Sequence, residues 1–267
     1  MTPSSVLVET ASSGIKIIKI SRLKQLNALN SQTLEDLRSL LQEETRNAKE
    51  LKTRVLVLTG DGEKAFIAGA DIAEMRAKDS AGAVLFSQIG HEVAKLLESM
   101  PIPTIAAVNG YALGGGTEMA LACDFIVASE SAVFGQPEVG LGIIPGFGAT
   151  FRLAKYVGWP RAKELIFSGR LVKADEAKQL GLVNHVYPSN GFMTHVLELA
   201  KTIALQSSPA VSRAKGLLNE FSEAVGLNFK LDAETQAFGS LFGAADQKEG
   251  MAAFAEKRKP NFQGFES

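Results

Sequence analysis

The chain has 267 residues, of which 46% are hydrophobic and 21% are charged, a balance typical of a globular protein with a sizeable core. Its 28 basic and 29 acidic residues give a net charge of -1, so bulk electrostatics favour neither a nucleic-acid nor a membrane partner. Cys123 is the only cysteine, which excludes an intrachain disulfide and fits a reducing compartment.

The N-terminal residues show no targeting signal. They lack the basic and apolar regions of a signal peptide and the Arg-rich pattern of a transit peptide. No apolar run reaches the roughly 18 residues that a transmembrane helix needs. We therefore expect a cytoplasmic protein, although a matrix protein whose presequence has been removed would look the same.

Strands and helices alternate through the first part of the chain. Abundant β-branched residues predict a strand at 15–20, and near-continuous apolar runs predict buried strands at 54–59, 104–108 and 125–128. Amphipathic patterns predict helices at 32–49, with Ser31 as N-cap, and at 87–99. Shorter helices are expected at 72–77 and from the glycines at 114–116 to Cys123. This alternation favours an α/β core.

The pattern changes at about residue 160. Helices are predicted at 161–167, 174–180, 191–205 and 209–257, and only 183–187 reads as a further strand. We divide the chain into an α/β core of residues 1–200, which includes the first helices after this change, and a helical region of residues 201–267. The second region is a candidate for packing against another subunit.

Two glycine-containing segments each precede a predicted helix, residues 65–71 and 109–118. Free N–H groups at a helix N-terminus favour developing negative charge. Two such donors from separate loops that converge on one oxygen would form an oxyanion hole. Simple tight turns are the alternative, and neither segment matches a dinucleotide-binding fingerprint or a P-loop.

Glu118 and Glu138 lie in these otherwise apolar or glycine-rich surroundings, Glu118 in the second segment and Glu138 in residues 134–140. Two poorly solvated carboxylates that converge would have separated pKa values, as acid/base chemistry needs. Taken alone, such carboxylates are more often ordinary helix and loop residues, and the sequence pattern does not show that they converge.

Other chemistries lack support. The histidines are scattered and no zinc-binding spacing occurs, so no metal is expected. No G-x-S-x-G elbow supports a serine nucleophile. Asp71 opens a predicted helix and is interpreted as its cap.

Several stretches together resemble the enoyl-CoA hydratase/isomerase (crotonase) family, and more closely its short-chain enoyl-CoA hydratases. They are residues 64–72, 109–118, 134–138, 141–146, 181–183 and 250–259, in order and with fitting spacing over nearly the whole chain. The resemblance implies an α/β fold, a crotonase-type spiral of ββα units with a helical C-terminal region that mediates trimerisation. It also implies a homotrimer or a dimer of trimers.

Site residues follow from the same resemblance, position by position. Glu118 and Glu138 would be the acid/base pair, and the N–H groups of Ala70 and Gly115 the oxyanion hole. The remaining matches concern the acyl-CoA substrate and its CoA moiety: Lys24, Gln25, Leu26, Ala68, Gly69, Ala70, Gly146, Phe254 and Lys257.

The implied reaction is hydration of a trans-2-enoyl-CoA to a 3-hydroxyacyl-CoA, in fatty-acid or short-chain acyl-CoA metabolism. It needs no cofactor beyond the CoA of the substrate. Isomerases of the family use one proton shuttle near the Glu138 position, so the presence of both carboxylates favours hydration. An isomerase, a hydratase of an unusual acyl-CoA and a non-catalytic binding protein of this fold stay open as alternatives.

The chain departs from the common hydratase pattern after Gly146. Many relatives have a smaller residue than Phe147, and a Gly-Thr-Gln-Arg run where this chain has Ala-Thr-Phe-Arg at 149–152. Phe147, Ala149 and Phe151 therefore put the acyl-chain preference in question, and Phe151 is more consistent with ordinary packing.

Overall fold

Strands supply the frame of the molecule. The computed structural model describes residues 5–11, 14–49, 53–206, 208–221, 235–236, 238–239, 242–243, 245–258 and 260. The strands of this part of the chain are Val6–Thr10 (β1), Ile15–Ile20 (β2), Val55–Gly60 (β3), Ala65–Ile67 (β4), Thr104–Val108 (β5), Tyr111–Leu113 (β6), Phe125–Ser129 (β7), Val133–Gly135 (β8), Leu171–Lys173 (β9) and His185–Tyr187 (β10).

Helices pack around these strands. They are Ser31–Lys49 (α1), Ile72–Arg76 (α2), Ser80–Ser99 (α3), Gly115–Leu121 (α4), Ala149–Val157 (α5), Trp159–Ser168 (α6), Ala174–Gln179 (α7), Phe192–Ala204 (α8), Ser208–Phe221 (α9) and Ala245–Ala255 (α10). Two short 3₁₀ helices span Leu23–Gln25 and Pro137–Leu141.

Two sheets share the strands in a regular alternation. The larger has the order β1-β2-β3-β5-β7-β10, and the smaller has the order β4-β6-β8-β9. In the larger sheet β1 pairs antiparallel with β2, and all the other neighbouring strands pair in parallel. In the smaller sheet β9 pairs antiparallel with β8, and the other neighbouring strands pair in parallel. Each successive pair β3/β4, β5/β6 and β7/β8 therefore gives its first strand to one sheet and its second to the other. This is the predicted spiral of ββα units.

The core lies on both faces of the larger sheet because side chains alternate along each strand. Val57, Ile105 and Val127 face α8 and pack against its buried side chains. Leu58, Ala106 and Ile126 face the other way, into the main core that the helices α1, α3 and α4 share with the smaller sheet. Strands buried on both faces explain the near-continuous apolar runs in the sequence.

Several predicted boundaries are wrong. Asn30, not Ser31, caps α1: its side-chain oxygen accepts the N–H of Thr33 at 2.8 Å. Helix α3 begins at Ser80, after the cap Asp79, and not at residue 87. The expectation of a single strand after residue 160 is also wrong, because β9 lies at Leu171–Lys173.

The C-terminal helices pack onto the chain's own body. Helix α9 contacts α3, and α10 contacts both α2 and the 3₁₀ helix Pro137–Leu141. Lys215 of α9 donates to the Asp124 carboxylate at 2.8 Å. The stretch predicted to be helical at 209–257 contains α9 and α10, and its segment 222–234 lies outside the described residues, as does Lys259. The division at residue 200 and the oligomerisation role stay predictions.

Candidate active site

The site lies where three parallel strands end at one edge of the smaller sheet. Strand β4 is followed by the turn that carries Ala70, β6 by the start of α4 at Gly115, and β8 by the 3₁₀ helix that carries Glu138. Neighbouring parallel strands present their carboxyl ends at the same edge, which is where ligands bind in open α/β sheets. The order β4-β6-β8 therefore brings together segments that are about 70 residues apart in sequence.

The amides of Ala70 and Gly115 lie close together. Leu29 donates its N–H to the Gly69 carbonyl at 2.8 Å and accepts the N–H of Asp71 at 2.7 Å, so the N–H of Ala70 points to the opposite side. Gly115 is the first residue of α4, whose N–H has no intrahelical acceptor. A Cβ placed on Gly115 would lie 3.8 Å from the Ala70 nitrogen. Two donors therefore stand side by side without an acceptor among the described residues.

Glu118 is held inside the protein by backbone amides. It lies in the first turn of α4 and is 1% exposed. Its Oε1 accepts the N–H of Phe147 at 2.8 Å and the N–H of Ala149 at 2.9 Å. Burial raises the pKa of the Glu118 carboxyl to about 7, and these N–H groups, followed by the charge of Arg152, oppose that rise.

Glu138 faces the start of the same helix from the 3₁₀ helix Pro137–Leu141 and is 8% exposed. The Gln136 amide, in the orientation that satisfies its hydrogen bonds, donates to both Glu138 oxygens at 3.1 Å. A Cβ on Gly114 would lie 2.6 Å from Glu138 Oε1, and Gly114 has φ 49°. Glycine is therefore required there both for its backbone conformation and for the approach of the carboxylate.

One cavity joins these groups. Its volume is ≈ 120 Å³, and Ala70, Gly115, Glu118 and Glu138 all line it. The rest of its wall is mainly apolar, and the described residues that line it include no lysine or arginine. Its larger apolar side chains are Met75, Phe86, Leu141, Ile143, Phe147 and Phe238. Because the lining is mainly apolar, the electrostatic interactions of its few polar groups are stronger than they would be in water.

The predicted substrate contacts separate into two groups. Ala68, Gly69, Gly146 and Phe254 line the same cavity as the two glutamates, and Phe254 is 58% exposed at its edge. A Cβ on Gly146 would lie 2.6 Å from the ring of Phe238, so the C-terminal region covers the cavity at that point.

Lys24, Gln25, Leu26 and Lys257 are exposed and do not line the cavity. The carbonyl of Leu26 accepts the N–H of Ala68 at 3.1 Å, which ties the first loop to the cavity rim. Lys257 follows α10 with φ 54°. These four residues therefore lie outside the cavity that the two glutamates share.

The residues that depart from the family pattern have different positions. Phe147 is 2% exposed and lines the cavity, with its ring centroid 5.3 Å from that of Phe86. Ala149 contributes the N–H to Glu118. Phe151 is buried outside the cavity and packs against the Arg152 guanidinium at 4.8 Å.

Two site residues were missed from the sequence, Gln136 and Arg152. Gln136 directly precedes the Pro-Glu pair of the 3₁₀ helix, so its closeness to Glu138 in sequence was a usable signal. Arg152 is 1% exposed, and a long cation in a helix gives no sign in sequence that it is buried.

Neither a metal cluster nor a membrane helix is present in the described part of the chain. No three His, Cys, Asp or Glu side chains group there as metal ligands. No helix among those residues has both the length and the apolar character to cross a membrane. Asp71 caps α2, as predicted, by accepting the N–H groups of Ala73 and Glu74.

A fold of this kind, with buried carboxylates beside two adjacent backbone N–H donors, suits an enzyme that moves protons next to a carbonyl oxygen. The chain matches the family described as Enoyl-CoA hydratase/isomerase over residues 10–265. It is 44% identical over 253 residues to a short-chain-enoyl-CoA hydratase of Clostridium acetobutylicum, with 95% of each chain covered. It is 43% identical to a crotonyl-CoA hydratase of Syntrophomonas wolfei, with 93% of this chain and 94% of the relative covered.

A solved structure of an enoyl-CoA hydratase from Bacillus anthracis has a TM-score of 0.79 to this chain at 40% identity, with 97% of this chain and 99% of the other covered. Another, from Mycobacterium avium subsp. paratuberculosis, has a TM-score of 0.85 at 28% identity, with 97% and 98% covered. The chain belongs to the enoyl-CoA hydratase/isomerase family and is an enzyme. The family resemblance and the α/β fold predicted from the sequence are confirmed.

Proposed function

We propose that this protein adds water across the double bond of a short trans-2-enoyl-CoA, giving a 3-hydroxyacyl-CoA, and catalyses the reverse dehydration. The observation that carries the proposal is the convergence on one cavity of two buried carboxylates and two amides that have no acceptor among the described residues. The names of the relatives from Clostridium acetobutylicum and Syntrophomonas wolfei support hydration as the reaction.

The thioester oxygen binds between the N–H groups of Ala70 and Gly115. Negative charge grows on this oxygen as the nucleophile adds to C3, because the electrons of the double bond move toward the carbonyl. Amides that are already oriented need no reorganisation when that charge appears, which is why such donors lower the barrier. The N-terminus of α4 adds a favourable dipole at the same place.

Glu118 acts as the base that takes a proton from the attacking water. A base works best when its pKa is near the working pH, and burial raises the pKa of Glu118 to about 7. The N–H groups of Phe147 and Ala149 occupy Oε1 and so fix the direction of the carboxylate.

Glu138 delivers the proton to C2. It lies on the other side of the α4 start, against Gly114, and therefore reaches the substrate from a different direction than Glu118 does. The Gln136 amide holds both of its oxygens. The proton taken by Glu118 and the proton given by Glu138 balance the addition of one water. Before the next turnover Glu118 releases its proton to solvent and Glu138 takes one up, which restores both carboxyl groups.

The acyl group is short and uncharged in this proposal. The cavity of ≈ 120 Å³ is mainly apolar, and Phe147 occupies space beside Gly115. A relative from Escherichia coli, 39% identical, is named 2,3-dehydroadipyl-CoA hydratase. A free carboxylate at the far end of the acyl chain would be buried without a lysine or arginine partner among the described residues that line this cavity, which is unfavourable.

The CoA moiety extends outward, past Ala68 toward Lys24, Gln25 and Leu26. Phe254 and Lys257 are proposed to contact CoA bound to a neighbouring subunit, in a trimer or a dimer of trimers in the cytoplasm. Phe254 lies exposed at the edge of this chain's own cavity and Lys257 is exposed beyond the end of α10, so both are accessible to a neighbouring subunit. Light scattering of the purified protein gives the subunit number.

The test is the loss of the conjugated enoyl-thioester absorbance when the protein is mixed with crotonyl-CoA, with the product identified by mass. Hydration adds the mass of one water and isomerisation adds none. Glu118→Gln and Glu138→Gln should each lower kcat by at least about 100-fold. Glu164→Gln, at an exposed ion pair with Arg170, is the matched control and should leave kcat unchanged. A wild-type protein that leaves crotonyl-CoA and longer enoyl-CoAs unchanged would refute the proposal.

A further inference from the structure

Arg152 is a buried cation that grips the loop behind Glu118. Its side chain is 1% exposed, although it lies on α5 away from the cavity wall. Nε and Nη2 donate to the two oxygens of Glu98 at 2.7 Å each, in a bidentate pair that fixes the plane of the guanidinium. Nη1 donates to the carbonyl oxygen of Phe147 at 2.7 Å.

The loop at 147–149 therefore lies between Arg152 and Glu118. The carbonyl of Phe147 faces Arg152, whereas the N–H groups of Phe147 and Ala149 face Glu118 Oε1. Gly148 between them has φ 115°, and a Cβ there would lie 1.9 Å from Arg152 Nη1. Only glycine allows the guanidinium to come this close to the loop.

We propose that Arg152, oriented by Glu98, is a positioning residue for Glu118: it fixes the loop whose amides hold the carboxylate, and its charge favours the ionised form that acts as base. This inference rests on the proposed hydratase function. It assigns the Arg152–Glu98 pair a role in the reaction although neither side chain lines the cavity.

Arg152 supplies the positive charge that acts on Glu118, and the other titratable groups around it do not reverse this effect. From α3, Glu98 pairs with the guanidinium and His91 faces it; burial, and then the charge of Arg152, lower the pKa of His91 to about 3, so His91 is neutral. From α4, Glu118 carries the charge that Arg152 stabilises. Tyr156, on α5 itself, has its pKa raised by burial and is neutral as well.

Two further charged residues, Lys95 of α3 and Lys155 of α5, line a second cavity together with Arg152 and Glu98. Lys215 of α9 forms an ion pair with Asp124, which offsets its positive charge. Within the part of the chain that the structure describes, Arg152 is therefore the buried cation that contacts the loop at 147–149.

The experiment is the pH dependence of kcat in Arg152→Met, Arg152→Lys and Glu98→Gln. Arg152→Met should move the acidic limb of the profile upward by about one pH unit or more, as expected for the loss of a nearby opposite charge. Its plateau kcat should fall by about 10- to 100-fold because the base is no longer held in place, with KM little changed.

The other two variants separate charge from position. Glu98→Gln removes a negative charge that offsets Arg152, so its acidic limb should move downward, opposite to that of Arg152→Met. Arg152→Lys keeps the charge but loses the planar fork, so its limb should stay near the wild-type position while kcat falls. These two carry the test should Arg152→Met fail to fold. Arg170→Met, in an exposed ion pair with Glu164, is the matched control and should change neither.

A direct titration keeps this inference separate from the proposed reaction. Carboxyl ¹³C NMR of Glu118, assigned by its loss in Glu118→Gln, reports the ionisation of this residue without turnover. Opposite shifts in the Arg152 and Glu98 variants support the positioning role even in a protein that does not hydrate crotonyl-CoA. Acidic limbs and Glu118 titrations that stay at the wild-type position in both Arg152→Met and Glu98→Gln, with only the melting temperature lowered, would overturn it.

Discussion

Replacing Glu118 by Gln tests the cost of keeping an ionisable base inside the protein. Gln keeps a carbonyl oxygen that can accept the N–H groups of Phe147 and Ala149, and it removes the charge. Burial raises the pKa of Glu118 from 4.5 to about 7. At low pH the carboxyl is protonated in both the folded and the unfolded protein, so it then costs nothing through ionisation.

The cost appears as the pH rises. Between pH 4.5 and about 7 the unfolded chain releases the proton of Glu118 while the folded protein retains it, so folding stability falls through this window and stays low above it. The shift from 4.5 to about 7 corresponds to about 3 kcal/mol of folding stability. Glu118→Gln has no carboxyl to ionise and so does not lose this stability. Its folding stability relative to that of the wild type should therefore be about 3 kcal/mol higher above pH 7 than at low pH.

Urea unfolding of both proteins, at one protein concentration and at several values between about pH 4 and pH 8, measures the difference. Any pH-independent effect of the amide cancels when the two curves are compared. Glu164→Gln serves as control, because hydrogen bonding from Arg170 lowers the pKa of that exposed carboxyl, and its removal should produce no such gain. Curves of wild type and Glu118→Gln that run parallel across this range would show that Glu118 does not titrate there.

Two further substitutions test the shape of the cavity. Gly114→Ala places a Cβ 2.6 Å from Glu138 Oε1 and should lower kcat by about 100-fold; Gly191→Ala, also at positive φ but with open space around it, isolates the backbone strain and should leave kcat unchanged. Phe147→Leu should raise kcat/KM for six-carbon relative to four-carbon enoyl-CoA by about tenfold, whereas Phe134→Leu, buried in the core outside the cavity, should not. A chain-length preference that is the same in Phe147→Leu as in the wild type would show that this residue does not shape the acyl pocket.

The long buried strands could be predicted from the sequence, but the short ones could not. Runs such as 104–108 are buried at every position because both faces of the larger sheet are covered, and every residue of this run except Thr104 is apolar. Strands β4, β6 and β8 have three residues each, too few to show a period of two, yet they are the strands that carry the site. Helix α5 was missed because its N-cap, Gly148, makes no side-chain capping bond.

The two glutamates could be singled out from their surroundings, whereas their convergence could not. Glu118 and Glu138 meet because β6 and β8 are neighbours in the smaller sheet, and pairing of this kind is a tertiary property. The error in predicting the N-cap of α1 has a local cause. Asn30 and Ser31 are adjacent and both are residue types that cap helices, but Ser31 donates its hydroxyl and its N–H to the Glu74 carboxylate instead.

The cover that Phe238 places over Gly146 has a consequence for how the protein is made. About 100 residues separate Glu138 from Phe238, and a ribosome adding about 5–20 residues per second needs on the order of 5–20 s to synthesise them. During that interval the strands beneath can already pair, while Met75, Phe86 and Phe147 have no C-terminal segment above them. The future acyl pocket is then an open apolar surface on a nascent chain, and it is the part of this molecule that we expect a chaperone to shield first.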